Sequence, residues 1–116
     1  MFQINYFVAD FCIVCQHFLG TEGILYEVSA NGSYARVVGY QGTATKIKIA
    51  DTYNGLPVKT IYSHAFSDKT SIVSVIIPDS VTYIGDGAFW ECSSLTSVTI
   101  GNSVTSIGGY AFSDCS

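Results

Sequence analysis

The sequence predicts a short, mainly β solenoid of about three 23-residue coils behind an N-terminal β-hairpin cap, and three observations carry the prediction. The pair Ala-Phe recurs at Ala65-Phe66, Ala88-Phe89 and Ala111-Phe112, each 23 residues after the last. Other columns keep the same step: Val58, Val81 and Val104, then Ile61, Ile84 and Ile107, with Val75 answered by Val98, Ile77 by Ile100 and Cys92 by Cys115. Ahead of the repeats, Asn31-Gly32 sits between two β-prone runs, the strongest short hairpin signal. A repeat that contacts only its neighbours builds an extended surface, which suits binding better than an enclosed catalytic site.

Residues 1–20 form a separate apolar segment. Ile4, Phe7, Phe11, Val14 and Phe18 fall on one face of an amphipathic helix, with Gly20 as its stop. An alternating reading through Phe2, Ile4, Tyr6 and Val8 competes over the first turns. As a secretory signal the segment is poor: no Lys or Arg precedes the apolar run, and Gln16-His17 interrupts it. As a membrane span it is short and carries Asp10 near its middle, so no membrane span is expected. An amphipathic cap and a stretch outside the native fold both stand as readings.

Residues 21–116 carry the hairpin cap and the solenoid. A two-residue type I′ loop at Asn31-Gly32 pairs Ala30 with Ser33, Val28 with Ala35, Tyr26 with Val37 and Glu27 with Arg36, the last an attractive pair. The first repeat strand runs from Ala44 to Ile49 with Ala44, Ile47 and Ile49 inward; Ile72, Val75 and Ile77, then Leu95, Val98 and Ile100, repeat the spacing. Between Ile49 and Val58 the chain holds five residues more than later repeats, including the turn formers of Tyr53-Asn54-Gly55-Leu56-Pro57, and reads as a surface bulge. Val104, Ile107, Ala111 and Phe112 send a second apolar set inward from the return arm. Gly85 and Gly108 fit a sharp turn closing each coil.

The net charge of −4 is unevenly spread. All basic residues (Arg36, Lys46, Lys48, Lys59, Lys69) lie mid-chain; beyond Lys69 only Asp79, Asp86, Glu91 and Asp114 are charged. Without a basic stripe a nucleic-acid partner is not expected.

Ser71–Ser93 and Ser94–Ser116 agree at more than half of their positions, and Pro78-Asp79-Ser80-Val81-Thr82-Tyr83-Ile84-Gly85 with Ala88-Phe89-Trp90-Glu91-Cys92 carries the pattern in full. This pattern resembles the BspA-type leucine-rich repeats, over roughly residues 23–116. The Ile24–Tyr40 hairpin resembles the cap preceding the first repeat in such proteins. Gly101-Asn102 departs from the Pro-Asp of the pattern, and Lys69 stands where Cys92 and Cys115 stand. The resemblance implies surface-displayed or secreted, extracellular or cell-surface proteins of microbes that bind macromolecules. It brings no catalytic residue and no cofactor.

Chemical motifs weigh little. Cys12-Ile13-Val14-Cys15 lacks the second knuckle a zinc site needs, and His17 stands one residue too late for haem attachment. Cys92 and Cys115 share a column; a bridge is geometrically conceivable, while a small buried column site favours two free thiols. His64, with Gly87 and Tyr110 as equivalents, reads as an exposed surface residue. The acidic column Asp68, Glu91 and Asp114 reads as solvated rather than as a Ca²⁺ site. No nucleophilic triad, phosphate loop or paired carboxylates appear, so no catalytic, metal or cofactor role is expected.

The function expected is a non-catalytic protein- or glycan-binding module of an adhesion-type surface protein. The alternative is a structural or accessory segment attached to a larger protein such as a surface enzyme. The binding face is expected on the strand side, at Lys46, Lys48, Val73, Ser74, Ile76, Thr96 and Thr99, with Val73 and Ile76 as outward apolar residues beside two lysines. Trp90, outward on the return arm, is the rival contact. The chain is expected to be a piece of a longer array, and the open coil around Ile107, Phe112 and Cys115 to invite self-association.

Overall fold

The computed structural model describes residues 20–115. The helical reading of the N-terminal segment and the Cys12/Cys15 pair lie outside the described residues. Strands β1 (Ile24–Val28) and β2 (Ala35–Tyr40) form the antiparallel hairpin, with Tyr26 opposite Val37, Glu27 opposite Arg36 and Val28 opposite Ala35, as expected. The loop joining them is longer than expected. Ser29 N–H donates to Tyr34 O at 2.8 Å and Gly32 N–H to Ser29 O at 2.9 Å, leaving Ala30 to Ser33 as the connection, so Ala30 and Ser33 lie in the loop and do not form the expected ladder pair. Only Gly32 turns left-handed (φ 74°). Asn31 instead accepts through Oδ1 from Ser29 Oγ (2.9 Å), Ser33 N (3.1 Å) and Ser33 Oγ (2.7 Å).

The type I′ turn occurs elsewhere. Strands β3 (Lys46–Lys48), β4 (Thr52–Tyr53) and β5 (Leu56–Ile61) follow, and β4 pairs antiparallel with β5 around Asn54 (φ 52°) and Gly55 (φ 79°). Left-handed φ at both central residues matches the right-handed strand twist. The expected surface bulge is therefore a second hairpin, tied to the first: Tyr53 stacks on Tyr26 at 4.9 Å, and Ala50 N–H donates to the Tyr26 hydroxyl at 3.1 Å.

The coils continue through β6 (Ser74–Ile77), β7 (Tyr83–Ile84), β8 (Ser97–Ile100) and β9 (Ser106–Ile107). They stack into two ladders. One is the parallel sheet β3-β6-β8; the other runs β9-β7-β5-β2-β1, so the cap joins the stack where Val37 pairs in parallel with Ile61. Thr21 covers the outer edge of β3, its N–H donating to Lys48 O at 2.8 Å while its hydroxyl accepts from Lys48 N–H at 2.7 Å.

Between the ladders lies the core, and its axis is a stack of aromatic rings. Phe66 and Phe89 are 5.0 Å apart and within 2° of parallel; Phe89 and Phe112 are 5.2 Å apart and within 4°. Tyr40 of the cap continues the column, 5.9 Å from Phe66. Ile47, Ile49, Ile72, Val75, Ile77 and Leu95 point inward from the strand ladder as their spacing predicts. In the last coil five expected core positions differ: Ile100 and Ile107 are exposed and Val98, Val104 and Phe112 are half-buried, whereas Ile77, Ile84, Val75, Val81 and Phe89 one coil earlier are buried. An inward column is covered by the coil beyond it, and no described residues follow the last coil.

Gly85 does a different job from the one its pattern suggests. It does not have a positive φ; a Cβ there would stand 2.7 Å from Ser63 N and 2.9 Å from Ile61 O. The glycine lets the backbone of one coil lie directly on the coil before it.

Candidate functional site

The strand ladder sets the expected contact residues into rows. Lys46, Ser74 and Ser97 are in register, as are Lys48, Ile76 and Thr99, on either side of the inward row Ile47, Val75 and Val98. Alternation along a strand sends the two flanking rows to the outer face. Ile76 is 47% exposed there, with Lys48 on one side and Thr99 on the other. Val73 is half-buried, one step before the ladder, its carbonyl accepting from Thr96 N–H at 2.9 Å and from the Thr96 hydroxyl at 3.3 Å. The structure thus brings together Lys46, Lys48, Ser74, Ile76 and Thr99, and makes Ile76 rather than Val73 the apolar centre.

Trp90 lies apart from that face, on the return arm. There each coil donates backbone N–H groups to the next: His64 to Asp86 O (3.0 Å), Phe66 to Ala88 O (2.7 Å) and Asp68 to Trp90 O (2.8 Å), with Gly87, Phe89 and Glu91 repeating the pattern. This geometry needs left-handed residues on both sides of the Ala-Phe pair. His64 (φ 60°), Gly87 (62°) and Tyr110 (60°) form one such column, and Asp68 (62°), Glu91 (59°) and Asp114 (59°) the other. Only Gly87 has the residue type that conformation favours most.

The bare backbone at Gly87 leaves room that neighbours use. A Cβ on Gly87 would stand 2.5 Å from His64 Cε1, so the imidazole lies over the glycine and reaches Trp90, ring centroids 6.0 Å apart. Beyond Gly87 an open groove of about 550 Å³ is lined by His64, Asp86, Gly87, Trp90, Gly109 and Tyr110. Trp90 is 36% exposed and Tyr110 76%. Asp86 holds the groove floor by accepting from Gly109 N–H at 2.9 Å. Sequence reasoning placed His64 and Tyr110 in an outward variable column and missed the groove, because its lining comes from three coils and closes only on stacking. Two bulky aromatics in variable columns of adjacent coils were the available signal.

Two further columns were singled out by the sequence. Cys92 and Cys115 are free thiols, each donating to the coil before it: Cys92 Sγ to Phe66 O at 3.0 Å and Cys115 Sγ to Phe89 O at 3.1 Å. Burial pushes the Cys92 thiol up to about 11 and raises that of Cys115 as well. In the acidic column, a hydrogen bond with Asp68 raises the Glu91 carboxyl above its usual range, with desolvation and the charges of Asp68 and Asp114 adding to it. All three carboxylates are exposed. Among the described residues no helix is long and apolar enough to cross a membrane.

Comparison with known proteins adds the family and its relatives. The family model for the BspA type leucine rich repeat region matches residues 41–116 in six copies. Among solved structures, a T. pallidum leucine rich repeat protein superposes with a TM-score of 0.77 at 26% identity, covering 81% of this chain and 44% of its own. A leucine-rich repeat protein from Bacteroides capillosus gives 0.71 at 30% identity, over 79% of this chain and 71% of the other. A leucine rich cell surface protein from Faecalibacterium prausnitzii gives 0.68 at 33% identity, over 79% and 26%. The chain therefore spans less than half of the T. pallidum protein and about a quarter of the F. prausnitzii one. No curated protein matches it by sequence.

Proposed function

Because the chain belongs to the BspA-type leucine-rich repeat family, we propose that it is a non-catalytic binding module of a microbial cell-surface or secreted protein, meeting a protein or glycan partner on the outer face of β3, β6 and β8. The observation that carries this reading is the exposed row Lys48, Ile76 and Thr99 on a parallel ladder whose outer face no described element covers. A β-branched apolar residue in the open, flanked by a lysine and a threonine, offers one desolvating contact with polar groups to fix its orientation. Lys46 and Lys48 put two positive charges on this face of a chain whose net charge is −4, so an anionic group on the partner suits it. The F. prausnitzii relative is described as a cell surface protein, which supports a surface location.

The test is a binding screen of the 116-residue chain on immobilised glycan and protein panels, repeated with the Lys48→Glu, Ile76→Glu double variant. At least one saturable ligand is expected, with affinity lowered about tenfold in the variant. Thermal unfolding should be unchanged, because both side chains face solvent. A variant that binds every ligand as well as the wild type would remove the face from consideration, and a catalytic turnover of any panel member would remove the non-catalytic reading.

A further inference from the structure

The return-arm groove has a composition that the rest of the molecule does not explain. Trp90 occupies a column where the other coils carry Ser67 and Ser113, so the stack does not require an indole there. Tyr110 occupies a left-handed position that the middle coil fills with Gly87, and it is 76% exposed. Neither backbone preference nor packing accounts for an exposed tyrosine at φ 60°. Asp86 lines the same groove; its Oδ1 is committed to Gly109 N–H, and no described residue donates to Oδ2.

The molecule contains the same chemistry in completed form. On the cap, the Arg36 guanidinium carbon stands 5.5 Å from the centre of the Tyr62 ring, while its Nε donates to Glu27 Oε1 at 2.9 Å. An aromatic face and a carboxylate together hold one guanidinium. The groove at Trp90 presents the aromatic faces and the carboxylate without the cation. No Lys or Arg is among the residues that line it; Lys59 and Lys69 belong to the coil that supplies His64 but do not line the groove, and the sequence has no Lys or Arg after Lys69. The acidic column beside Trp90, Asp68 with Glu91 and Asp114, gives this arm a negative field and sets like charges close together. An incoming cation relieves both.

We propose that the groove between Trp90 and Tyr110 is a second binding site, which takes an arginine side chain of a partner polypeptide between the rings with its guanidinium on Asp86. Arginine fits better than lysine: its planar group stacks on an indole while keeping in-plane N–H donors for a carboxylate, and it sheds water more readily than an ammonium. The groove's volume of about 550 Å³ admits a whole side chain with its flanking backbone. The site lies on the return arm and does not depend on the strand-face reading.

Trp90 is the sole tryptophan of the chain, so its emission reports the site directly. The probe is the octapeptide (Arg-Gly)4 titrated into the full chain, with (Glu-Gly)4 and the neutral glycan maltohexaose in parallel. The arginine peptide is expected to give a saturable change with a midpoint below about 1 mM, weakened by added salt. Affinities of variants are measured by calorimetry, since Trp90→Ser removes the fluorophore. Trp90→Ser, which installs the residue of the neighbouring coils, is expected to weaken binding at least about fivefold. Asp86→Asn keeps the acceptor for Gly109 N–H and removes the charge, with a loss of about threefold or more. Both variants should unfold like the wild type, and the Lys48→Glu, Ile76→Glu variant should bind the peptide unchanged. No saturable response to (Arg-Gly)4, an equal or stronger response to maltohexaose or to (Glu-Gly)4, or unchanged affinity in either groove variant would overturn the proposal.

Discussion

Replacing Phe89 by Ala removes the middle ring of the aromatic column and tests whether that column carries the fold. Phe89 is fully buried and stacked on both faces, 5.0 Å from Phe66 and 5.2 Å from Phe112. Truncating a buried phenylalanine costs about 3–5 kcal/mol, and the neighbouring coils are hydrogen-bonded to each other, so they cannot collapse into the gap. Two stacked contacts, each adding about 0.5–1.5 kcal/mol, place the loss at the upper end, about 4–5 kcal/mol. Phe112 is half-buried and stacked on one face only, so Phe112→Ala should cost about 2 kcal/mol. The position matters as well as the burial: in a nearest-neighbour array, loss at the central coil uncouples the coils on either side. Urea denaturation followed by circular dichroism reads the difference as a shift in midpoint at constant slope. A domain of this size has about 5–15 kcal/mol to lose, so Phe89→Ala approaches unfolding; Phe89→Leu, at about 1.5 kcal/mol, keeps the comparison measurable. Equal losses for Phe89→Ala and Phe112→Ala would refute the reasoning, because they would mean that stability does not run along the column.

Gly85→Ala should destabilise by about 2–3 kcal/mol, since its Cβ would meet Ser63 N at 2.7 Å and neither backbone can yield; Gly109→Ala, which meets nothing within 4 Å, should cost under about 0.5 kcal/mol, and equal shifts in Tm would contradict the close-approach account. The two Asn-Gly turns should respond differently to glycine. Asn31→Gly loses the acceptor of three hydrogen bonds and should cost about 1 kcal/mol by thermal unfolding, whereas Asn54→Gly, at φ 52°, should be neutral within about 0.5 kcal/mol. Cys92 gives a pH test with a defined sign. Its folded thiol is raised from 9.0 to about 11, so the stability it contributes is fully present below pH 9 and is lost as pH rises toward 11. Unfolding midpoints of wild type and Cys92→Ala should therefore converge between those values, and parallel curves would show that the thiol is not held neutral by the fold.

The part of this structure legible in the sequence is the part that repeats. A period supplies its own alignment, so Val58, Val81 and Val104 identify one another without a relative to compare, and the aromatic column follows from three Ala-Phe pairs. The hairpin register was legible for a different reason: counting outward from Asn31-Gly32 sets Glu27 opposite Arg36, a charge pair that supports it weakly, and the structure pairs them at 2.9 Å. The loop type was not. Asn-Gly occurs at 31–32 and at 54–55, and the same dipeptide makes two different connections. The difference lies in its neighbours. Ser29 and Ser33 flank the first pair and supply three donors that capture Asn31 Oδ1, while Tyr53 and Leu56 flank the second, supply none, and leave the backbone to form the tight turn. Side chain and backbone compete for the same turn, and local donors decide the outcome.

The site divides along the same line. Lys46, Lys48, Ser74, Ile76 and Thr99 could be placed on one face from alternation alone, because strand periodicity is a local property. The groove could not, because it depends on what each coil does not share with the next. The shared residues fix a backbone that turns left-handed at two places in every coil, and the side chain at the first of these places, His64, Gly87 or Tyr110, has no role in the stack. Such a position is free to vary only because the backbone around it cannot. A glycine there opens a space, a histidine in the coil before leans into it, and a tyrosine in the coil after stands clear of it. A repeat that looks degenerate column by column thereby makes one distinct cavity, and the most informative residues are those that break the period while keeping its φ.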